Sequence, residues 1–545
     1  MSLMRCFRAR AAVFAPAALA LILFASGRQV FASGQAAPQQ TPAASQAPQI
    51  PTSTSTSNGP VVRLSADEAV RMALENNLGI QAERLSPQIN TLNVSQARAA
   101  YAPVLFSNFL SRNSTQPPSS FVTGGSASIL TNESFSQNGG LQQNVRWGGG
   151  RYTFSIDGSK VTSSAIDSRY NPQLSSNLTA QYVQPLLRGF KTDSIRQQIE
   201  TSQNNQVIAD IGLREQVTVT TQAVRNAYFD LIGALEGYKV SMQSLQLAQE
   251  SLRNNNTKVE VGTLAPIDII EAEAEVASNE EAVINAEARI KTVEDRLRYL
   301  VLNPTQPDFW TLRLEPTDAP ALTPIAIDVE GAITNALANR TDIARLKKQL
   351  DNVDVNVRFS ENQRMPGLDV VANYNVIGYA GTQFVFGEGF PPPIVDQSAR
   401  SFSSALRDVF GQDFRTWSVA LNFSYPLGTS QADAAVASGR LERQQGAVGL
   451  RDLELQVTTA VRDAARQVDT NLKRVEATRK ARDRAERRLE AETKRMTVGL
   501  STTFQLFQAQ RDLARQRQQE VNAMIDYNRS VVGFEAIQIA PVSAR

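Results

Sequence analysis

The sequence contains no histidine and only one cysteine among 545 residues. Without an imidazole it cannot form a Ser/His or Cys/His nucleophile pair or a histidine metal ligand. Its 55 basic and 53 acidic residues nearly balance, so the charge gives no reason to expect a nucleic-acid partner. We therefore expect no enzyme, with no catalytic residues, no cofactor and no metal site.

The N-terminal region has the layout of a secretory signal peptide. Arginines precede an apolar run over residues 11–25, and small residues follow it. The run is too short to span a membrane comfortably. We expect residues 1–32 to be removed by cleavage after Ala32, or after Ala25 as the alternative, together with Cys6. An uncleaved anchor is the competing interpretation.

The segment over residues 33–62 is rich in Gln, Ala, Pro, Ser and Thr and has almost no charge. Such a composition cannot bury enough apolar surface to offset the entropy of ordering, so we expect a disordered leader. No later stretch approaches about 18 uninterrupted apolar residues. We therefore expect no transmembrane helix, and any membrane-embedded part would consist of β-strands.

The rest of the chain carries an internal duplication. Residues 64–74 (LSADEAVRMAL) align with residues 327–337 (IDVEGAITNAL) at an offset of 263, which also relates Pro103 to Pro366. Later positions align at an offset of 237. Two long copies of one unit therefore follow each other. The first repeat, a Pro-rich connection and the second repeat are predicted over residues 63–302, 303–326 and 327–540.

Each copy predicts a helix, strands, a very long helix, a tight turn and a final helix. Apolar residues recur every 3.5 positions from Val217 to Leu252, which is typical of a coiled-coil seam. The corresponding seam from Val461 is expected to be weaker because Arg479 and Arg482 interrupt it.

The expected helix lengths suit an extended rod. The long helix over residues 191–259 would measure about 105 Å. The shorter helices would reach about 55 Å each, so two placed end to end match one long helix. Ser65 and Glu68 are expected to form a capping box at the first of them. These shorter helices are predicted over residues 65–100, 266–302, 329–365 and 503–535.

Alternating segments predict β-strands with two different faces. From Trp417 to Tyr425, apolar and aromatic residues alternate with small or polar ones, and residues 370–376 and 178–183 alternate in the same way. Segments of about ten residues with this pattern are typical of membrane β-barrels. A soluble sandwich is the alternative.

Two long segments, residues 113–132 and 379–412, are rich in Gly, Ser, Asn and Pro and are predicted to be external loops. An additional hairpin is indicated by residues 141–147, a Gly-Gly-Gly turn and residues 151–160. If it joins the barrel wall, each chain contributes six strands rather than four and the pore is wider. The alternative is that it folds outside the wall. One chain has too few strands to close a channel, so an oligomer is required.

The order of these features in both copies resembles that of the TolC-like outer-membrane efflux family. The links from strand to long helix at residues 184–189 (QPLLRG) and 425–428 (YPLG) carry part of the resemblance, which covers residues 64–539. It implies the α+β fold class, with long antiparallel coiled-coil helices that form a periplasmic α-barrel. It also implies two internal structural repeats and outer-membrane β-strands that a homotrimer closes into one β-barrel.

The resemblance also implies a function and partners. Members of the family are passive exit ducts of multipartite efflux or secretion systems, gated by a periplasmic adaptor (membrane fusion) protein and driven by an inner-membrane pump. We therefore expect a channel that contacts outer-membrane lipid and extends into the periplasm. One alternative is a pore-less periplasmic coiled-coil scaffold or surface adhesin. Another is an enzyme with paired carboxylates such as Glu271 and Glu275, which no pocket in the sequence pattern accompanies.

In that family the turns between helices at the periplasmic tip contact the adaptor. Gly262 and Gly499 suit the left-handed position that ends a helix. Thr263 or Ser501 can accept backbone N–H groups to start the next helix. The residues that match the family's tip turns are Val261, Gly262, Thr263, Val498, Gly499, Leu500 and Ser501.

The family's closed tip often carries an anionic constriction beyond the second tip glycine. At those positions this chain has Gln505 and Gln508, whereas the first copy has Asp268 and Glu271 at the same spacing. The resemblance therefore leaves an anionic constriction in doubt at the second tip and plausible only at the first. The alternative for Asp268 is a carboxylate that the helix dipole favours in the first turn.

Charge is shared unevenly between the predicted helices. Residues 260–296 are strongly acidic, and residues 440–495 are basic. Neighbouring helices in an assembled tunnel can pair these surfaces, and solvated helix faces are the alternative.

Overall fold

The computed structural model describes residues 60–118, 129–318, 324–389, 393–428 and 430–541. All the described residues lie in one compact unit. The expected signal peptide and nearly all of the expected leader therefore lie outside the described residues. Among the helices that are described, none combines the length and the apolarity needed to cross a lipid bilayer.

Long helices and long antiparallel strands alternate along the chain, so the predicted α+β class is confirmed. The elements are β1 (Val61–Leu64), α1 (Ala66–Asn76), α2 (Leu78–Ala99), β2 (Val104–Gln116), β3 (Leu130–Asn144), β4 (Arg151–Ser163), β5 (Tyr170–Pro185), α3 (Ser194–Glu260), α4 (Ile267–Val301), β6 (Arg313–Pro316), α5 (Val329–Asn339), α6 (Thr341–Gln363), β7 (Gly367–Phe386), β8 (Ile394–Arg400), α7 (Phe402–Gly411), β9 (Arg415–Ser424), α8 (Gln431–Thr497) and α9 (Thr503–Ile537).

The two longest helices, α3 and α8, contain 67 residues each and are about 100 Å long. Shorter helices pack along them in pairs, α2 and α4 against α3, and α6 and α9 against α8. The expected end-to-end arrangement is therefore confirmed. Helix α3 also contacts α6 and α9. Next to the strands, the helices therefore lie in the order α2, α3, α6 and α8. Towards the turns that end the long helices, the order is α4, α3, α9 and α8.

The helices expected over residues 65–100 and 329–365 are each broken in two, so the prediction of one continuous helix is wrong. The breaks fall at Asn77 and Arg340, whose backbones are extended. The Asn77 side chain donates to the carbonyl oxygen of Leu300 at 3.2 Å, and the Arg340 guanidinium donates to that of Ile537 at 2.9 Å.

These contacts explain the breaks, because in each repeat the side chain at the break holds the end of the last helix. Asn77 and Arg340 are related by the offset of 263, and their acceptors Leu300 and Ile537 by the offset of 237. Asn77 also caps α2 by accepting the N–H group of Ile80. The Ser65 half of the expected capping box is present, since Ser65 accepts the N–H group of Glu68 at 3.3 Å. The Glu68 side chain instead bonds to Arg71.

The apolar core lies where the repeats meet, beside a small parallel sheet of β1 and β6. Val224, Tyr228 and Leu231 of the predicted seam in α3 are buried there, whereas Val461 of the second seam is buried in a separate cluster with Ile333 and Val457. The Tyr228 hydroxyl donates to Asp318 at 2.9 Å. Burial raises the pKa of Tyr228 to about 12.

The second seam changes from apolar contacts to ion pairs where arginines interrupt it. Arg482 lies 3.2 Å from the Glu520 carboxylate of α9, and it also bonds to Asp483. The hydrogen bond to Asp483 and the charge of Glu520 raise the pKa of the Arg482 guanidinium. The two helices therefore stay in contact through charge at this level.

The remaining strands form one sheet in the order β2-β3-β4-β5-β7-β8, and β9 also pairs with β7. The additional hairpin therefore joins the sheet, as β3 and β4 between β2 and β5. Its strands are longer than predicted. Of the expected loop over residues 113–132, β2 and β3 occupy both ends, and residues 119–128 lie outside the described part.

The loop expected over residues 379–412 is wrong. Strand β7 continues to Phe386, and β8 and α7 follow. Helix α7 packs on β5 and β7, where it buries Ala405 and Val409, and Arg400 pairs with Asp408 at 2.8 Å. Burial against the sheet thus makes a helix of a segment whose composition favours a loop.

Candidate functional site: the helix tips, the helix edges and the two faces of the sheet

The turn between α3 and α4 has the hydrogen bonds of a Schellman motif. The N–H group of Thr263 donates to the carbonyl oxygen of Lys258 at 2.8 Å, and that of Gly262 donates to Val259 at 2.9 Å. Gly262 has a φ of 75°, which side chains other than glycine adopt at a cost.

The turn between α8 and α9 repeats this geometry. The N–H group of Leu500 donates to Arg495 at 2.9 Å, and that of Gly499 donates to Met496 at 3.3 Å. Gly499 has a φ of 76°. A Cβ atom at Gly262 or Gly499 would meet no heavy atom within 4 Å. The predicted helix-ending glycines are therefore needed for backbone conformation and not for space.

The roles expected for Thr263 and Ser501 as helix starts are wrong. Helix α4 begins after Pro266 without a side-chain cap, and the Thr263 hydroxyl donates back to Lys258 at 2.9 Å. Helix α9 is capped by Thr502. Ser501 instead donates to Glu492 and Gln505. Both hydroxyls therefore close the turn they lie in.

Apolar side chains project from both tips. Val261 and Val498 are each 68% exposed, and Leu500 is 77% exposed. Exposed apolar side chains beside a rigid turn form a surface that a partner can cover. The tips therefore combine a fixed backbone with an apolar contact surface.

Asp268 joins the two tips within one chain. Its carboxylate accepts a hydrogen bond from the Thr503 hydroxyl at the start of α9, at 2.5 Å. Its carbonyl oxygen lies 3.4 Å from the amide nitrogen of Asn255, which donates to it. Asp268 is half-buried, so it is more than a solvated first-turn carboxylate. The contact with Thr503 was not predicted, because the two residues lie 235 positions apart.

The other constriction candidates behave differently. Glu271 is exposed. Gln508 donates to Asp512 at 3.2 Å, and Gln505 accepts from Ser501. Glu275, which the pattern places on the same helix face, pairs with Arg511 of α9 at 3.4 Å. Of the acidic candidates at the first tip, Glu271 alone faces solvent in the single chain.

The two edges of the helical layer carry opposite charge. On edge helix α8, some arginines pair with α9, as Arg488 does with Asp512 at 3.1 Å. Other arginines of α8 have no carboxylate within 4.0 Å in the described part of the chain, and the same holds for several glutamates on the opposite edge helix α4. Within the described residues, the unpaired basic side chains of α8 include Arg479, Arg484 and Arg487, and the unpaired acidic side chains of α4 include Glu271, Glu273, Glu280 and Glu281.

The sheet has one apolar and one polar face, which the strand register defines. A row of directly opposed apolar residues crosses β9, β7, β5, β4, β3 and β2 on one face. The neighbouring row belongs to the opposite face and is mostly polar. The apolar row is Trp417, Tyr374, Ala180, Phe154, Leu141 and Leu105. The polar row is Ser418, Asn373, Gln181, Thr153, Gln142 and Val104.

Hydrogen bonds link side chains across the polar face. Gln181 donates to Asn373 at 2.9 Å, and Asn373 donates to Ser418 at 3.5 Å. The hydroxyls of Ser159 and Ser175 lie 2.6 Å apart. By contrast, Trp417 on the apolar face is 73% exposed, so this face is uncovered there in a single chain. Such a division of faces is what a sheet between lipid and water requires.

Helix α7 lies on the apolar face, beyond the apolar row. A Cβ atom at Gly378 would overlap the backbone of Ala405, and the Phe402 ring lies against Gly158. Both glycines are on the apolar face by register. Their lack of side chains therefore lets the helix approach the sheet closely.

Comparisons with known proteins agree with this geometry. A family model for outer membrane efflux proteins matches residues 332–537. No curated protein matches the sequence significantly. The fold is similar to that of the outer membrane channel CmeC of Campylobacter jejuni, with a TM-score of 0.61 and 14% identity over 87% of this chain and 85% of that chain.

Two further outer membrane proteins have a similar fold. VceC, an outer membrane protein of Vibrio cholerae, gives a TM-score of 0.60 at 14% identity, over 87% of this chain and 96% of that chain. The open state of the MtrE outer membrane channel of Neisseria gonorrhoeae gives a TM-score of 0.58 at 15% identity, over 87% of this chain and 88% of that chain. The chain therefore has the fold of these outer membrane proteins, and its second repeat matches the outer membrane efflux family model, so the predicted resemblance to that family is confirmed.

Proposed function

We propose that the protein is the exit duct of a multipartite efflux or secretion system, a passive conduit across the outer membrane and the periplasm. One observation carries this proposal: a sheet with a lipid-compatible and a water-compatible face continues into helices of about 100 Å within a single chain. A duct needs both parts, and they must be joined rigidly. It catalyses nothing, and an inner-membrane pump supplies the energy.

A homotrimer would bring the two edges of each chain together. Strand β2 and helices α2 and α4 form one edge, and β9 and α8 form the other. Because the edges differ, copies meet head to tail, which closes into a ring. In such a ring the acidic helix α4 of one copy faces the basic helix α8 of the next. The opposite charges left unpaired on the two edges support this arrangement.

The tip turns are the proposed docking surface for a periplasmic adaptor. Val261, Val498 and Leu500 present exposed apolar side chains on turns that the backbone of Gly262 and Gly499 fixes. Asp268, bonded to Thr503, is the proposed latch between the tips. Glu271, which is exposed, is the proposed acidic group of the constriction. Adaptor docking would open the tip by separating these helices.

A pore-less periplasmic scaffold or adhesin is the competing function. A scaffold in water has no use for a row of apolar residues across the uncovered face of a sheet, so the apolar row favours the duct. Fractionation separates the two. A duct stays in the outer-membrane fraction until detergent is added and then has the mass of three chains. Release without detergent, as a soluble protein, would favour the scaffold and contradict the duct.

A further inference from the structure

We propose that each copy contributes six strands, so that the outer-membrane barrel has eighteen strands and a wide water-filled pore that does not select cargo by size. Selection would then rest with the helical tip. The inference depends on the proposed trimer and extends it. It follows from the hairpin of β3 and β4, which lies inside the sheet. The six strands are β2, β3, β4, β5, β7 and β9. Strand β8 is not counted, because it pairs only with residues 381–386 at the far end of β7, on the edge that β9 occupies over residues 367–376.

The hairpin is paired along nearly its whole length on both sides. Strand β3 pairs with β2 over 13 positions and with β4 over 13, and β4 pairs with β5 over 11. Strand β2 lies at the edge of the sheet, where β3 is its neighbour, and it is not paired with β5. Removing the hairpin from the wall would therefore break two complete ladders and leave β2 detached.

The hairpin also has the same two faces as the rest of the sheet. In β4, Phe154 and Ile156 lie on the apolar face, and Thr153 and Ser155 lie on the polar face. Across the polar face, Asn138 of β3 bonds to Asp157 of β4. A hairpin lying outside the wall, in water, would have no need for an apolar face that continues the row of its neighbours.

The turn of the hairpin is built into the joint between the sheet and the helices. The buried side chain of Gln184 donates to the carbonyl oxygen of Gly148 at 2.7 Å. The Arg196 guanidinium of α3 donates to the carbonyl oxygen of Arg146 at 2.7 Å.

An aromatic contact and a close backbone approach complete this joint. The Trp147 ring meets the Phe190 ring edge to face, with centroids 5.8 Å apart. Gly149 has a φ of 68°, and a Cβ atom there would overlap the carbonyl oxygen of Gly189. The hairpin is thus held at its turn as well as along its strands.

The two parts of the duct then have similar widths. Eighteen strands at about 4.8 Å spacing and about 40° tilt give a wall of about 110 Å in circumference, against about 75 Å for twelve strands. Three copies with four helices at each level give twelve helices. At 8–10 Å spacing these occupy roughly 95–120 Å. The wide barrel therefore continues the tunnel without narrowing, and barrels of about this strand number hold aqueous channels.

Electron cryomicroscopy of the detergent-extracted full chain tests the strand number directly. We expect three copies and eighteen strands in a section through the barrel, with β3 and β4 between β2 and β5. A trimer with twelve wall strands and the hairpin outside would overturn this inference and leave the duct intact. A particle without a barrel would instead overturn the proposed function.

Cysteine labelling on whole cells provides a second test. Thr153→Cys lies on the polar face of the hairpin, and its neighbour Phe154→Cys lies on the apolar face. We expect a charged maleimide added outside the cell to label Thr153→Cys at least tenfold faster than Phe154→Cys. Equal labelling would place the hairpin outside the wall. Both variants must still purify as trimers, and the unchanged chain shows the background, because its one cysteine is Cys6.

Graded probes then test the width of the pore. Maleimides carrying polymers of increasing diameter should label Thr153→Cys up to a diameter about 1.5 times the limit of a twelve-stranded channel labelled in the same way, since barrel diameter grows linearly with strand number. The tip does not affect this limit, because the probes enter from outside. A limit equal to that of the twelve-stranded channel would contradict the wide pore.

Discussion

The first and second repeats share their backbone devices but differ in the side chains that use them. Both end the long helix with the same turn, at Gly262 and at Gly499. Both break the first helix at an equivalent residue, yet one break is held by a neutral amide, Asn77, and the other by a guanidinium, Arg340. The comparison teaches that both repeats keep the backbone conformations of the turn and of the helix break. The side chains that stabilise these conformations differ between the repeats.

The repeats differ most in the sheet. The first repeat supplies β2, β3, β4 and β5, whereas the second supplies β7, β8 and β9. Of the second repeat's strands, β8 pairs only with the far part of β7 and precedes α7. The first repeat thus contributes two additional strands to the sheet, and the second contributes a helix, α7, that packs on the sheet.

The largest effect is expected at the turn that only the first repeat possesses. Gly149→Val should abolish the recovery of trimers, because a side chain there overlaps the backbone of Gly189 in addition to the strain of a positive φ. Gly262→Val and Gly499→Val should leave trimers intact and impair coupling to the adaptor, since only strain of about 1–2 kcal/mol applies. Size-exclusion chromatography and export by the host strain measure the two effects. Trimers from Gly149→Val in normal yield, or unchanged export with the tip variants, would contradict this ranking.

The residues at the two helix breaks should contribute differently to the stability of the protein. Arg340→Ala leaves Asp342 without its partner and should lower stability by about 3 kcal/mol. Asn77→Ala removes a cap and one further bond and should cost about 1 kcal/mol. Thermal melting of the detergent-solubilised protein compares them. Equal losses would mean that the charge at Arg340 adds nothing, and Lys239→Ala, at an exposed position, serves as the control.

The link between the tips should be cooperative. Asp268→Asn and Thr503→Val remove the two partners of one hydrogen bond, so the double variant should have little more effect than either single one, with a coupling of about 1–2 kcal/mol. The open probability of single channels measures the effect, which should rise in all three variants. Glu250→Gln, at an exposed position of α3, is the control, because Glu250 has no assigned part in the latch or the constriction. Additive effects would show that the two residues act separately.

The smallest effect is expected at the charged edges. Arg484→Glu with Arg487→Glu should weaken the trimer by about 0.5–1 kcal/mol per pair at low salt, and added salt should strengthen the variant because it screens the new repulsion. Adding Glu273→Lys and Glu280→Lys should restore it, if α8 of one copy faces α4 of the next. Trimer dissociation over a salt series is the measurement. Failure of the reversed charges to rescue would indicate that these residues face solvent.

Much of the fold could be predicted from the sequence, because the duplication and the 3.5-residue period are local patterns. The turn glycines could be predicted for the same reason, since φ is a property of a single residue. The helix breaks could not, because Asn77 and Arg340 bond to acceptors more than 190 positions away. A local pattern carries no signal for such contacts.

The predictions for the site divide in the same way. Both tip turns have the expected geometry, whereas the bond between Asp268 and Thr503 joins separate repeats and had no local sign. The loop over residues 379–412 was predicted from composition. Helix α7 forms there because Gly378 and Gly158, far along the chain from each other, leave room on the sheet.

Conductance of the detergent-purified full chain in a planar bilayer tests the account most directly, together with the double variant Asp268→Asn and Thr503→Val. The duct predicts discrete conductance steps, which are rare in the unchanged chain and frequent in the variant, because the tip is the point that closes. Trimers that insert into the bilayer but give no steps, in either the unchanged chain or the variant, would contradict the claim that this protein encloses a continuous pore.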